Sequence, residues 1–96
     1  MLNSKQRAQL RSMANRLDSV IHVGKTGLHG NVATQLDGAL KTRELIKGTV
    51  LESSPLTARE VANELATATN SDVVQVIGRR FVLYRRNDEK PIIELA

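Results

Sequence analysis

Ninety-six residues, 41% of them apolar, are enough for one domain that buries roughly 60–70% of its unfolded surface without staples, and they leave no room for a second. The absence of cysteine excludes disulfides and thiolate metal sites and agrees with a reducing cytoplasm, and no apolar run is long enough for a signal-peptide core or a membrane span, so a soluble cytoplasmic protein is expected. Charge is uneven: residues 1–50 carry eight basic side chains (Lys5, Arg7, Arg11, Arg16, Lys25, Lys41, Arg43, Lys47) against Asp18, Asp37 and Glu44, a balance of +5, whereas residues 51–72 set Arg59 against Glu52, Glu60, Glu64 and Asp72, a balance of −3. Such polarity suits one face meeting a polyanion, for which nucleic acid is the default, although a solvated basic surface is the plainer reading.

In chain order, Leu10, Met13, Ala14 and Leu17 recur at helical spacing and predict an amphipathic helix from Ser4 to about Leu17, capped by Asn3 or Ser4, with Arg7 and Arg11 on its wet face. Val20 to Val23 reads as a short β-branched strand, Gly24 to Gly27 as a loop, and Val32, Leu36, Ala39 and Leu40 as the buried stripe of a second helix over Asn31 to Arg43. A second strand follows from Leu45 to Leu51, weakened at Gly48, where glycine marks either a bulge or a close approach. Thr57 with Glu60 three residues on is a capping-box signature for a third helix that buries Ala58, Val61, Ala62 and Leu65 and ends at Asn70-Ser71. Asp72 to Ile77 and Phe81 to Arg85 then form a hairpin about Gly78-Arg79-Arg80, and Asn87 to Ala96 is a polar tail in which Ile92-Ile93 adds a little edge packing.

The order helix, strand, helix, strand, helix, strand, strand predicts an α/β sandwich with one mixed four-stranded sheet. If the first three strands are parallel, their C-terminal ends share one edge, which brings the Gly24–Gly27 loop beside the Gly78-Arg79-Arg80 turn. Lys25, Arg79 and Arg80 then form one patch, Lys47 joins them from the less apolar face of strand two, and Arg85 and Arg86 lie further down strand four.

Two glycines flanking Lys25-Thr26 allow a tight turn and the close approach of a phosphate, which the free peptide amides at the start of the next helix favour. The plainer reading is a strand-to-helix turn whose glycines only relieve strain. A nucleotide-binding P-loop is excluded, because the glycine required five residues before Gly24 is Ser19. No enzyme constellation is visible. His22 and His29 are the obvious general bases, no carboxylate pair or metal-ligand spacing accompanies them, and catalytic residues, metal and cofactors are all expected to be absent.

The blocks Gln6-Arg7 with Leu10-Arg11, Val23-Gly24-Lys25-Thr26-Gly27-Leu28, Glu44-Leu45-Ile46-Lys47, and Val74 through Gly78-Arg79-Arg80-Phe81 to Arg86 resemble the CRM family (chloroplast RNA splicing and ribosome maturation) in its bacterial single-domain, YhbY-like form, over about Leu2 to Arg86. The resemblance implies a fold similar to the C-terminal domain of translation initiation factor three, a KH-like GxxG loop, and ribosomal RNA of a large-subunit precursor as partner. It departs at Gly48, where the family has an apolar β-branched residue, at Arg43, often histidine, and at His29, where threonine or serine would cap the second helix better. The RNA contacts expected are Gly24, Lys25, Thr26, Gly27, Lys47, Arg79, Arg80, Arg7, Arg11 and Arg85, the last equally open to pairing with Asp88 or Glu89. With only Phe81 and Tyr84 as aromatics, backbone and shape rather than stacked bases should be read. A monomer without membrane contact or small-molecule substrate is expected. The competing class is a protein-docking module whose basic patch meets an acidic partner.

Overall fold

Helix starts follow local chemistry. In the computed structural model, which describes residues 2–28 and 31–96, Asn3 and Gln6 form a reciprocal capping box at the head of α1 (Ser4–Ala14), and Thr57 and Glu60 form another at the head of α3 (Ala58–Thr69). Asn70 closes α3 in the left-handed conformation, at φ 55°. Between them, α2 (Val32–Arg43) starts at Asn31 without a side-chain cap; the expectation about His29 lies outside the described residues. α1 stops three residues short of Leu17. The amides of Arg16 and Leu17 turn back to the carbonyls of Met13 (3.3 Å) and Ala14 (3.0 Å), a tighter turn that leaves Met13 on the surface rather than in the buried stripe.

The strands are β1 (Ser19–Val23), β2 (Leu45–Val50), β3 (Asp72–Ile77) and β4 (Arg80–Tyr84), in the spatial order β1-β2-β4-β3. β1 runs parallel to β2, and β4 is antiparallel to both of its neighbours, so β1, β2 and β3 all point the same way. The chain is thus the three-helix, mixed-sheet α/β sandwich expected. α2 and α3 cover one face through Leu36, Leu40, Val61 and Leu65 on Ile21, Ile46, Phe81 and Leu83. α1 covers part of the other through Leu10 and Ala14 on Leu45, Val74, Val82 and Tyr84.

Gly48 does not interrupt its strand. It pairs with Ile21 on one side and Phe81 on the other, and the irregularity in the β1–β2 ladder lies in β1, between Ser19 and Ile21. A β-carbon on Gly48 would meet the Phe81 ring at 2.2 Å, so the ring occupies the space that a family-typical branched side chain would need. The glycine and the buried phenyl are one packing unit.

Glu44 is the feature of the fold that sequence reasoning passed over. It joins α2 to β2 at φ 63° and is fully buried, with no Lys, Arg or His within ion-pair distance among the described residues. Its carboxylate accepts from the amides of Asn87 (2.6 Å), Ile92 (2.8 Å) and Ile93 (2.6 Å). The tail is therefore docked by its backbone, while Ile92 itself stays exposed, and Gln9 ties the last residues to α1 through the Glu94 carbonyl (2.8 Å) and the Ala96 amide (2.7 Å). Burial would raise the Glu44 pKa, but the three amides and nearby Arg86 outweigh it and hold the carboxyl below its ordinary value.

Unfolding must then take up protons at acid pH, so the Glu44 contribution is complete above about pH 5 and is lost as pH falls through the lowered folded-state value. Glu44→Ala should cost about 2–4 kcal/mol at pH 7, because it empties a buried site and strands three part-buried amides, and should flatten the acid limb of stability. Urea midpoints of the two proteins at pH 7 and pH 3.5 measure both effects.

Candidate nucleic-acid interface

The common direction of β1, β2 and β3 puts three connections on one edge of the sheet: the Gly24–Gly27 turn after Val23, the segment from Leu51 to Pro55 after Val50, and the Gly78-Arg79 turn after Ile77. They are fastened together. Leu51 donates its amide to the Val23 carbonyl (2.8 Å), and Val50 donates to the Arg79 carbonyl (2.7 Å). A β-carbon on Gly24 would lie 3.5 Å from Leu51 Cδ1, and one on Gly27 3.5 Å from Pro55 Cγ, so the glycine turn rests on the second connection.

Within the turn, Gly27 donates its amide to the Gly24 carbonyl (2.9 Å) and is therefore spoken for. The amides of Lys25 and Thr26 have no partner among the described residues, and both side chains are exposed. Two peptide N–H groups without a partner among the described residues, a hydroxyl and an ammonium thus stand on exposed residues at the tip, a donor set suited to phosphate oxygens. Only Gly27 is left-handed, at φ 65°, so the backbone need for glycine is unequal at the two positions.

Arg79 and Arg80 stand on the same edge, and both are exposed. Arg79 is 3.7 Å from Glu52, with both side chains mostly in solvent, a pairing too loose and too hydrated to hold the guanidinium against a phosphate. On β2 and β4 the alternation of side chains puts Lys47, Thr49 and Arg80 on the face shared with α1, where α1 reaches only the far end. Across the strands His22 lies beside Thr49, and Thr49 beside Arg80, around a concavity of about 580 Å³. Ser19 Oγ and Thr49 Oγ1 are 2.5 Å apart within it. Ser19, Thr49 and Glu52 were not expected at this face, and His22 was weighed only as a general base; odd-numbered alternation along β2 was the available signal for Thr49.

Two expected contacts face inward instead. Arg7 is half-buried, its guanidinium donating to the carbonyls of Val73 and Val74 (3.3 Å for the latter), so α1 is anchored to β3 by a residue assigned to the wet face. Arg85 donates to the Asp37 carboxylate (2.7 Å), the Asp37 carbonyl (3.1 Å) and the Thr69 carbonyl (2.7 Å), which clamps β4 to α2 and α3; its acid is Asp37 rather than Asp88 or Glu89. The Arg85 and Lys41 side chains hold the Asp37 carboxyl below its ordinary pKa. Arg11 is exposed in the last turn of α1. Phe81 and Tyr84 are buried, 0% and 3% exposed, so neither offers a ring to a base. No cluster of three or more His, Cys, Asp or Glu residues able to hold a metal ion occurs among the described residues, and no helix there is long and apolar enough to cross a membrane.

The family model for the CRS1/YhbY (CRM) domain matches residues 2–85. The chain is 41% identical to the Bacillus subtilis protein named probable RNA-binding protein YqeI over 95 residues, covering 99% of each. It is 34% identical to a Haemophilus influenzae protein named RNA-binding protein over 91 residues, covering 95% of this chain and 92% of the relative. The solution structure of the Staphylococcus aureus protein SAV1595 superposes with a TM-score of 0.79 at 40% identity, over the full length of both chains.

The unequal glycines give a direct test of the turn. Gly27→Ala forces a β-carbon into the left-handed region at a cost of about 1 kcal/mol, whereas Gly24→Ala adds an ordinary contact with Leu51 and should leave stability within about 0.5 kcal/mol. Thermal or urea unfolding of the two variants measures the difference.

Proposed function

The chain belongs to the CRS1/YhbY (CRM) domain family, and on that footing we propose that it binds structured RNA through the edge that carries the glycine turn. The supporting observation is that edge itself: two amides without a partner among the described residues, Lys25 and the Arg79-Arg80 pair at the C-terminal ends of three co-directional strands. A phosphate at the tip accepts from the Lys25 and Thr26 amides and the Thr26 hydroxyl and is neutralised by Lys25 Nζ. Gly24 lets the backbone come close, and Gly27 sets the direction of the turn. Arg79, Arg80, Lys47 and Arg11 meet flanking phosphates, whereas Arg7 and Arg85 act on the RNA only by holding the fold.

Backbone contacts of this kind position a nucleic acid without reading its sequence, so the specificity lies in RNA shape. The resemblance to ribosome-maturation proteins makes ribosomal RNA in a large-subunit precursor the proposed partner and the cytoplasm the proposed site of action. No chemical step is required of the protein; its work is to bind.

Lys25→Ala should weaken binding to a structured RNA and lower the slope of log affinity against log salt by about 0.7–0.9, the share of one phosphate contact. A salt titration of both proteins checks this, and an unchanged slope would remove the turn from the interface. Sedimentation of a cell lysate addresses the partner: the protein should travel with immature large subunits, and migration as a free species at every growth stage would point to another one.

A further inference from the structure

The foot of β1 and β2 carries two cations, Arg16 and Arg43, that the glycine edge does not include, beside Lys47, which it does. Arg16, just past α1, Arg43, in the last turn of α2, and Lys47 on β2 line one concavity of about 230 Å³ together with Asp18. None of the three makes an ion pair among the described residues, and Asp18 makes none either. The plain explanation is that Arg16 and Arg43 complement the carbonyl ends of two helices. Each helix end is worth about half a negative charge, so two ends and Asp18 roughly balance two of the three cations. A net positive charge of about one remains, without an ion-pair partner among the described residues.

This concavity adjoins the larger one at the sheet face, and the two share Leu17, Asp18 and Lys47. A single trough therefore runs along β2, from Arg16 and Arg43 past Lys47 to Arg80, and ends at the edge that carries Arg79 and Lys25. The six residues of β2 give it a length of about 20 Å. A row of cations along a trough with no exposed aromatic ring matches a continuous sugar-phosphate backbone rather than a single phosphate or a run of stacked bases.

Resting on the RNA-binding reading, we infer that the RNA does not stop at the glycine turn: its backbone lies along this trough, with Arg16 and Arg43 gripping phosphates at the end opposite Lys25. The contact is made by charge and shape, and it belongs equally to one strand of a duplex or to an unpaired strand.

The test is a salt titration of the Arg16→Gln/Arg43→Gln double variant against an RNA hairpin and an unpaired strand of equal length. With both guanidinium groups gone, the slope of log affinity against log salt should fall by about 1.4–1.8, in addition to the loss from Lys25→Ala. The double variant Arg16→Lys/Arg43→Lys should restore most of the slope, which separates charge from damage to the fold. If the glutamine variant affects only one of the two RNAs, that RNA is the form laid in the trough, and the inference stands for it. If Lys25→Ala lowers the slope and the glutamine variant leaves it unchanged on both RNAs, the trough is not used, and the inference falls while RNA binding at the turn survives. If the unmodified protein shows no salt-dependent binding to either RNA, the functional reading fails and takes this inference with it.

Discussion

The Phe81 ring lies over Gly48, and the placement of the interface depends on that contact. Because the phenyl fills the space above Gly48, β4 seats against β2 in one register, with Lys47 opposite Val82 and Thr49 opposite Arg80. A slip of one residue would turn Phe81 and Leu83 out of the core and Arg80 into it. With β4 fixed between β2 and β3, the hairpin returns β3 parallel to β1 and β2. Three connections then meet on one edge, and the cations on them act as one surface. The fold places charge by fixing strand direction.

Basic residues in this family member divide into two kinds that look alike in sequence. Arg7 and Arg85 spend their donors on backbone carbonyls and on Asp37, which takes them partly out of water and makes them parts of the scaffold. Lys25, Arg79 and Arg80 are exposed, and their only ion pair among the described residues is the loose contact of Arg79 with Glu52. An exposed cation loses little in exchanging solvent for a phosphate oxygen, whereas a half-buried guanidinium already donating to carbonyls would have to abandon them.

Legibility in the sequence followed the range of each interaction. The Thr57–Glu60 box spans three residues and was readable from spacing alone, whereas at α1 the sequence offered Asn3 or Ser4 as the cap and the structure supplies the choice, Asn3, and its partner Gln6. Element order and the strand directions came from the length of the crossovers and from the hairpin, and with them the shared edge of the Gly24 and Gly78 turns. What escaped reading was long-range and polar. Arg7 meets carbonyls 66 and 67 residues away, Arg85 meets Asp37 at a distance of 48, and Glu44 takes amides from 43 to 49 residues further on. Backbone partners leave no mark on the identity of the residues that supply them, so a polar tail reads as loose even where its amides are fixed. Gly48 was readable as an anomaly, but its reason is a ring on the neighbouring strand.

The central claim is that the amides of the exposed Lys25 and Thr26, flanked by exposed cations, are where RNA backbone is held. An amide-resolved NMR titration with a structured RNA at low salt tests it most directly. The account predicts that the largest shifts fall on Lys25, Thr26 and the Gly78–Arg80 turn, with residues of the α2–α3 surface such as Asn63 and Thr67 unmoved. Silent amides at Lys25 and Thr26, with shifts centred on α3 or on the tail docked at Glu44, would contradict it.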